Sequence, residues 1–435
     1  MKTKFLTAAL IVSACPSLFA QGASPAINSG DTAWMLVSTA LVLFMTVPAL
    51  ALFYGGLVKR KNVLNILMQC FMTLSLVSVI WIVCGYSLAF NNDALIPGFL
   101  GGLGWSFLHN VGAAPSAVYA PTIPHSLFMM YQGMFAVITP ALIIGAFAER
   151  IKFSAFIFFS VLWLFIVYFP VAHCVWSADG WLAKKGIIDF AGGIVVHITA
   201  GTAALVTAMM IGRRSYLKAT PPHNLPFTMA GAAMLWFGWF GFNAGSALAA
   251  NGLAVNAFIV TNTSAAAAVL VWMILDRMYV KKPTMLGAAT GAIAGLAAIT
   301  PAAGCVDVRG ALVIGMASSV VCFYMVVFVK SRFGYDDSLD AFGVHGVGGF
   351  LGTIAAGIFA VPTVQAAYKG ALYGNFKQLG TQALGAVLVA LYTALATIVI
   401  YKVIDLFVGI RVTEEEELMG LDITQHNERG YTILE

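Results

Sequence analysis

Asp189-Phe190-Ala191-Gly192-Gly193-Ile194-Val195-Val196-His197 opens a stretch that continues to Ile211 without another charged side chain. Wound as a helix, residues 189–211 make a rod of roughly 35 Å, enough to cross the hydrocarbon of a bilayer. An aspartate at its start suits free N–H groups and the positive end of the helix dipole. It also reads as a buried carboxylate shaping the mouth of a path. His197, eight residues on, lies about 12 Å down the axis, near mid-membrane. Such a ring is costly in lipid, so the run reads as a spanning helix facing other protein.

The rest of the chain repeats this theme. Of 435 residues, 60% are hydrophobic and 9% are Asp, Glu, Lys or Arg, too few charges to face water on all sides. Turns and charges predict helices over 34–57, 63–90, 124–148, 153–175, 189–211, 226–247, 255–276, 285–303, 309–330, 342–361 and 379–408. The fold class is therefore an all-α polytopic membrane protein with eleven transmembrane helices. Abundant glycine, 43 residues, fits close helix approach in lipid.

Loops after the odd-numbered helices hold thirteen Lys and Arg, among them Lys59, Arg150, Arg214 and Lys330, whereas the alternate loops hold five. That bias puts the odd loops in the cytoplasm and the mature N-terminus outside. Residues 1–22 read as a cleaved signal peptide, with Lys2 and Lys4 before an apolar core and small residues near Ala20. The transmembrane domain then covers 31–408, and residues 409–435 form a cytoplasmic tail. The net charge of +5 comes from short loops, a topology signature that excludes a nucleic-acid face. The six cysteines show no CxxC pairing and read as packing residues.

A second histidine repeats the first. Asp340-Ala341-Phe342-Gly343-Val344-His345-Gly346 starts from the opposite side and carries His345 to depth beside glycines. Two imidazoles entering from opposite faces read as a functional pair, sharing one hydrogen and staying neutral. Helices 1–5 and 6–10 then read as an inverted repeat. Trp236, Trp239, Phe240 and Phe242 precede Asn243-Ala244-Gly245-Ser246, while Trp176, Tyr131 and Phe135 fall toward the same side. Aromatic faces with a hydroxyl acceptor suit a small cation, and deeper phenyl rings oppose passage of its charged form.

With these residues in view, the chain resembles the Amt/Mep/Rh ammonium transporters, specifically the bacterial AmtB-like branch. The resemblance rests on Ala51-Leu52-Phe53-Tyr54-Gly55-Gly56-Leu57-Val58, Gly145-Ala146-Phe147-Ala148-Glu149-Arg150, the Asp189–His197 run, Gly238-Trp239-Phe240-Gly241-Phe242-Asn243-Ala244-Gly245-Ser246 and Phe342-Gly343-Val344-His345-Gly346. It implies a homotrimer of eleven-helix protomers in the bacterial cytoplasmic (inner) membrane. It further implies an outer ammonium recruitment site of Trp176, Ser246 and Phe135, a phenyl gate of Phe135 and Phe242, and pore-lining His197 and His345. Asp189, Trp239 and Thr300 match supporting positions. The implied mechanism is capture of NH4+ outside, deprotonation, and passage of NH3 past the histidines, with a proton relay through them.

The tail, from Gly409-Ile410-Arg411-Val412-Thr413 through Glu417 to Asp422, resembles the family's regulatory region, whose cytoplasmic face accepts a PII-type signalling protein. Here His426-Asn427-Glu428-Arg429-Gly430-Tyr431 departs from the family's pattern, which has Gly after the His and Ala before the Tyr. Three other classes compete: a poorly transporting sensor, a gas channel, and a membrane enzyme using the histidines as acid and base. The aromatic outer motif opposes the gas channel. No nucleophile, cofactor motif or metal cluster completes an enzyme, so neither cofactor nor metal is expected.

Overall fold

The computed structural model describes residues 26–215 and 221–431; the signal-peptide assignment lies outside them. Among the described residues, ten helices are long and apolar enough to cross a membrane. They are α1 (Ser29–Leu57), α2 (Arg60–Phe90), α3 (His125–Phe147), α4 (Phe153–Lys184, its continuous rod ending at Trp176), α5 (Gly193–Ile211), α6 (Leu225–Ala247) and α7 (Gly252–Tyr279), then α9 (Val308–Phe333), α10 (Phe342–Phe359) and α11 (Phe376–Phe407). Between α7 and α9 lies the shorter apolar helix α8, Met285–Ile299. The molecule is thus an all-α polytopic membrane protein. Each helix falls where an apolar run predicts one, because in lipid a helix is the only open-chain structure that satisfies its own backbone.

α3 is buried along almost its whole length, whereas α2, α9 and α11 expose apolar side chains outward. α5, α6 and α10 carry π-helical turns at Gly193–Ile198, Phe240–Ala244 and Phe342–Gly346. A π turn widens the spiral locally and re-aims the side chains it holds. These three turns contain His197, Phe242 and His345.

The face bearing the basic loops is closed by a buried ionic cluster. Glu149, held at φ +71°, accepts from the Lys59 N–H (2.8 Å), Asn62 Nδ2 (2.8 Å) and Arg214 Nη1 (2.6 Å). Arg214 also donates from Nε (2.9 Å) and Nη2 (2.8 Å) to Asp336. Burial raises the Asp336 carboxyl, but the Arg214 hydrogen bonds and the nearby Arg150 charge outweigh it and hold it at about 2. Arg150, fully buried, directs its guanidinium to the carbonyls of Gly212, Ala148, Ala146 and Asp336 and to Ser338 Oγ.

The tail docks on this face rather than trailing into solvent. The Val412 N–H donates to Arg150 O (3.0 Å), and Glu417 accepts from the Ser215 N–H (2.7 Å) and Arg411 (2.9 Å). Two short helices, α12 (Glu414–Met419) and α13 (Leu421–His426), follow. Asp422 Oδ1 accepts the Asn65 N–H at the start of α2 (2.8 Å), and Tyr431 meets His223 Nε2 (2.9 Å).

Candidate functional site

Helix α5 starts four residues later than its apolar run predicts. Gly192 sits at φ +106°, a conformation that favours glycine, and the helix begins at Gly193. Asp189 therefore caps from outside the helix: its two carboxylate oxygens accept the N–H groups of Ile194 (3.0 Å) and Val195 (3.1 Å). Its backbone carbonyl accepts Trp176 Nε1–H (2.9 Å), tying the indole to the same residue. The helix cap and the anchor of the Trp176 indole thus meet at one residue.

For α10 the sequence assignment is corrected. Asp337, not Asp340, provides the cap: its carboxylate accepts the Ala341 (3.1 Å) and Phe342 (2.8 Å) N–H groups. Asp340, at φ +59°, turns away to pair with Lys330 at 2.7 Å. Asp337 precedes His345 by eight residues, as Asp189 precedes His197. That shared spacing was the available signal.

Backbones pass closely where the histidines meet. A Cβ on Gly201 would lie 2.1 Å from Gly346 Cα, and one on Gly349 would lie 2.6 Å from His197 Cβ. Each glycine stands four residues after one histidine and packs against the other histidine's segment. The rings lie nearly parallel, 9° apart in plane, with centroids 5.2 Å apart. The expected shared hydrogen between them is not seen: both nitrogens of His197 and Nδ1 of His345 are buried without a protein partner.

Above the pair, Phe242 reaches His197 at 6.2 Å and Phe135 at 4.3 Å, and Phe135 meets Trp176 edge-on at 5.7 Å. Trp239 stacks on His197 (5.6 Å, 18°), its Nε1–H donating to Thr300 Oγ1 (2.9 Å). Ser246 Oγ donates to Phe242 O (2.9 Å) and lies 3.2 Å from Tyr131 Oη, which also approaches the carbonyls of Gly241 and Phe242. All nine sequence-predicted site residues are therefore joined by ring contacts or hydrogen bonds into one cluster. Phe240 does not join them; it stacks on Phe258, 3.8 Å away, because the widened turn sends neighbouring side chains to different faces. The sequence reading grouped Tyr131 with the outer aromatics but did not foresee that its hydroxyl ties α3 to α6.

A cavity of about 10 Å³ touches Phe242, Trp239, His197 and His345. That is room for about one water-sized molecule. Below it, and sharing Phe53, Ile293 and His345, a vestibule of about 200 Å³ runs to Arg214 and Asp340 on the basic face. Among the described residues no cluster of three His, Cys, Asp or Glu is placed to hold a metal ion.

Comparison with known proteins agrees with this geometry. The sequence profile of the Ammonium Transporter Family matches residues 33–431. The chain is 51% identical to the ammonium transporter of Bacillus subtilis over 93% of its own length and 99% of that protein. It is 49% identical to ammonium transporter Amt1 of Archaeoglobus fulgidus, covering 93% and 100%. The crystal structure of Saccharomyces cerevisiae Mep2 matches with TM-score 0.83 and 36% identity over 89% of this chain and 88% of that one. These relatives span bacteria, archaea and fungi, so they mark the family rather than its bacterial branch. Their agreement with a buried histidine pair on a narrow path leads to one conclusion: the chain belongs to the Ammonium Transporter Family, a multi-pass membrane protein that moves ammonium or ammonia across a membrane and is not an enzyme.

Proposed function

We propose that Trp176, Ser246 and Phe135 recruit NH4+ at the outer mouth, that Phe135 and Phe242 form the gate, and that NH3 then passes His197 and His345. The observation that carries this reading is the unbroken succession of rings from Trp176 through Phe135 and Phe242 to His197 and His345, with centroid separations of 4.3 to 6.2 Å. A cation at Trp176 gains from the indole face, and Ser246 Oγ has lone pairs to accept its N–H. The two phenyl rings offer a charge nothing in return for its water, so the neutral form crosses more cheaply. The proton left behind travels through the unpartnered imidazole nitrogens, making transport electrogenic. Asp189, Trp239 and Thr300 hold this line in place.

The protomer crosses a bacterial cytoplasmic membrane eleven times, N-terminus outside and tail inside, and assembles as a homotrimer. Helix α8 supplies the eleventh crossing. Its 15 residues suffice because most are buried in protein, so its ends need not reach both lipid surfaces. The repeated Asp-to-His interval and the reciprocal glycines support an inverted repeat of helices 1–5 and 6–10. The docked tail supports a regulatory role and a PII-type signalling protein as partner at the basic face.

The test is current recording on reconstituted protein during ammonium pulses. His197→Ala and His345→Ala should each lower the current about 10-fold or more while the protein stays folded, since tenfold corresponds to about 1.4 kcal/mol of barrier. Undiminished current in both would remove the relay.

A further inference from the structure

We propose that Gln382, on α11, is a positioning residue for the outer mouth; this rests on the assignment of Trp176 to recruitment. Gln382 is fully buried. Its Oε1 accepts the Ile188 N–H (2.7 Å), while its Nε2 donates to Ile188 O (2.7 Å) and Thr353 O (3.2 Å). One primary amide thus holds both backbone groups of one residue. Gln378, a turn earlier, donates to Gln382 Oε1 (3.1 Å) and to Gly186 O (2.8 Å), which fixes the orientation of the Gln382 amide.

The residue held is the neighbour of Asp189, whose carbonyl carries the Trp176 indole and whose carboxylate caps the helix of His197. Residues 186–190 belong to no helix or strand, so bonds from outside set their height. Ile187 lies over Gly385, where a Cβ would come 2.5 Å from its Cδ1, and the Phe190 N–H donates to Pro301 O (3.2 Å). Of these ties, only the Gln382 amide grips both the N–H and the carbonyl of a residue beside Asp189. Releasing it lets the indole shift while leaving the phenyl gate and the histidines on their own helices.

The experiment is concentration-dependent ammonium transport in proteoliposomes. Gln382→Met keeps the volume and removes the polar ends. Its half-saturating concentration should rise about 5- to 10-fold, the effect of losing the one hydrogen bond that anchors the Trp176 indole to Asp189 O, with the maximal rate within about 2-fold. Trp176→Leu is measured in parallel. An unchanged half-saturation there overturns the recruitment assignment; a shift there with none in Gln382→Met overturns the clamp. If Gln382→Met does not fold, Gln382→Glu decides. Its acid form keeps one donor and one acceptor, enough for the Ile188 carbonyl and N–H but not for Thr353 O as well, whereas its carboxylate only accepts. Transport relative to wild type should then recover at acidic external pH and decline at alkaline pH, and a pH-independent ratio overturns the clamp.

Discussion

Segments 189–201 and 337–349 seat their histidines alike and treat their aspartates differently. Both place a carboxylate eight residues before the histidine, receive two backbone N–H groups with it, and put a glycine four residues after the histidine. In the first, the aspartate's own carbonyl also holds Trp176. In the second, a further aspartate, Asp340, faces the vestibule and pairs with Lys330. The seat is common to both halves, and what surrounds it differs at each mouth. One half presents an aromatic surface with a hydroxyl, the other an ion pair in a wider, polar space.

The largest expected effect strikes the common part. Gly201→Ala puts a methyl 2.1 Å from Gly346 Cα, backbone that cannot swing aside; Gly349→Ala meets His197 Cβ at 2.6 Å. Both should lower thermal stability in detergent, by about 2–3 kcal/mol for Gly201→Ala and less for Gly349→Ala. If melting is unchanged in both, the close crossing is not a constraint. Next come the caps. Asp189→Asn and Asp337→Asn each keep one acceptor and lose the other, which costs about 1–3 kcal/mol of cap energy and should reduce transport in both variants. Similar losses support equivalence of the two seats; loss at Asp189 alone would end it. The smallest change is Asp340→Asn. That side chain is 27% exposed and its Lys330 partner 25%, so the pair is worth at most about 1 kcal/mol. Transport within about 2-fold of wild type is expected, and a loss matching that of Asp337→Asn would return the cap to Asp340.

That last contrast marks where sequence reading stopped. Asp340 lies closer to the glycine-flanked histidine and looks like a helix start, but its φ of +59° carries it out of the helix line. The helices themselves were legible to within about five residues, because the length and polarity of a run decide spanning. The nine candidate site residues were named from their types and through the family resemblance, and the structure brings them into contact. Which of the clustered outer aromatics converge was left open, Phe240 included, because a regular 3.6-residue period cannot show a π turn. Gln382 and the docking of the tail were missed for a different reason. Their partners are far away in sequence, 194 residues for Gln382 and Ile188, and nothing local records such a pairing.

The tail's grip on α2 has a consequence for biosynthesis. The Asn65 N–H, at the start of the second helix, is capped by Asp422, 357 residues downstream. At about 5–20 residues per second, a ribosome takes roughly 20–70 s to reach that partner. During this interval α2 is in place with its first turn unfinished. The basic face is therefore the last part of the protomer to close, and a chain released before residue 422 leaves that turn uncapped.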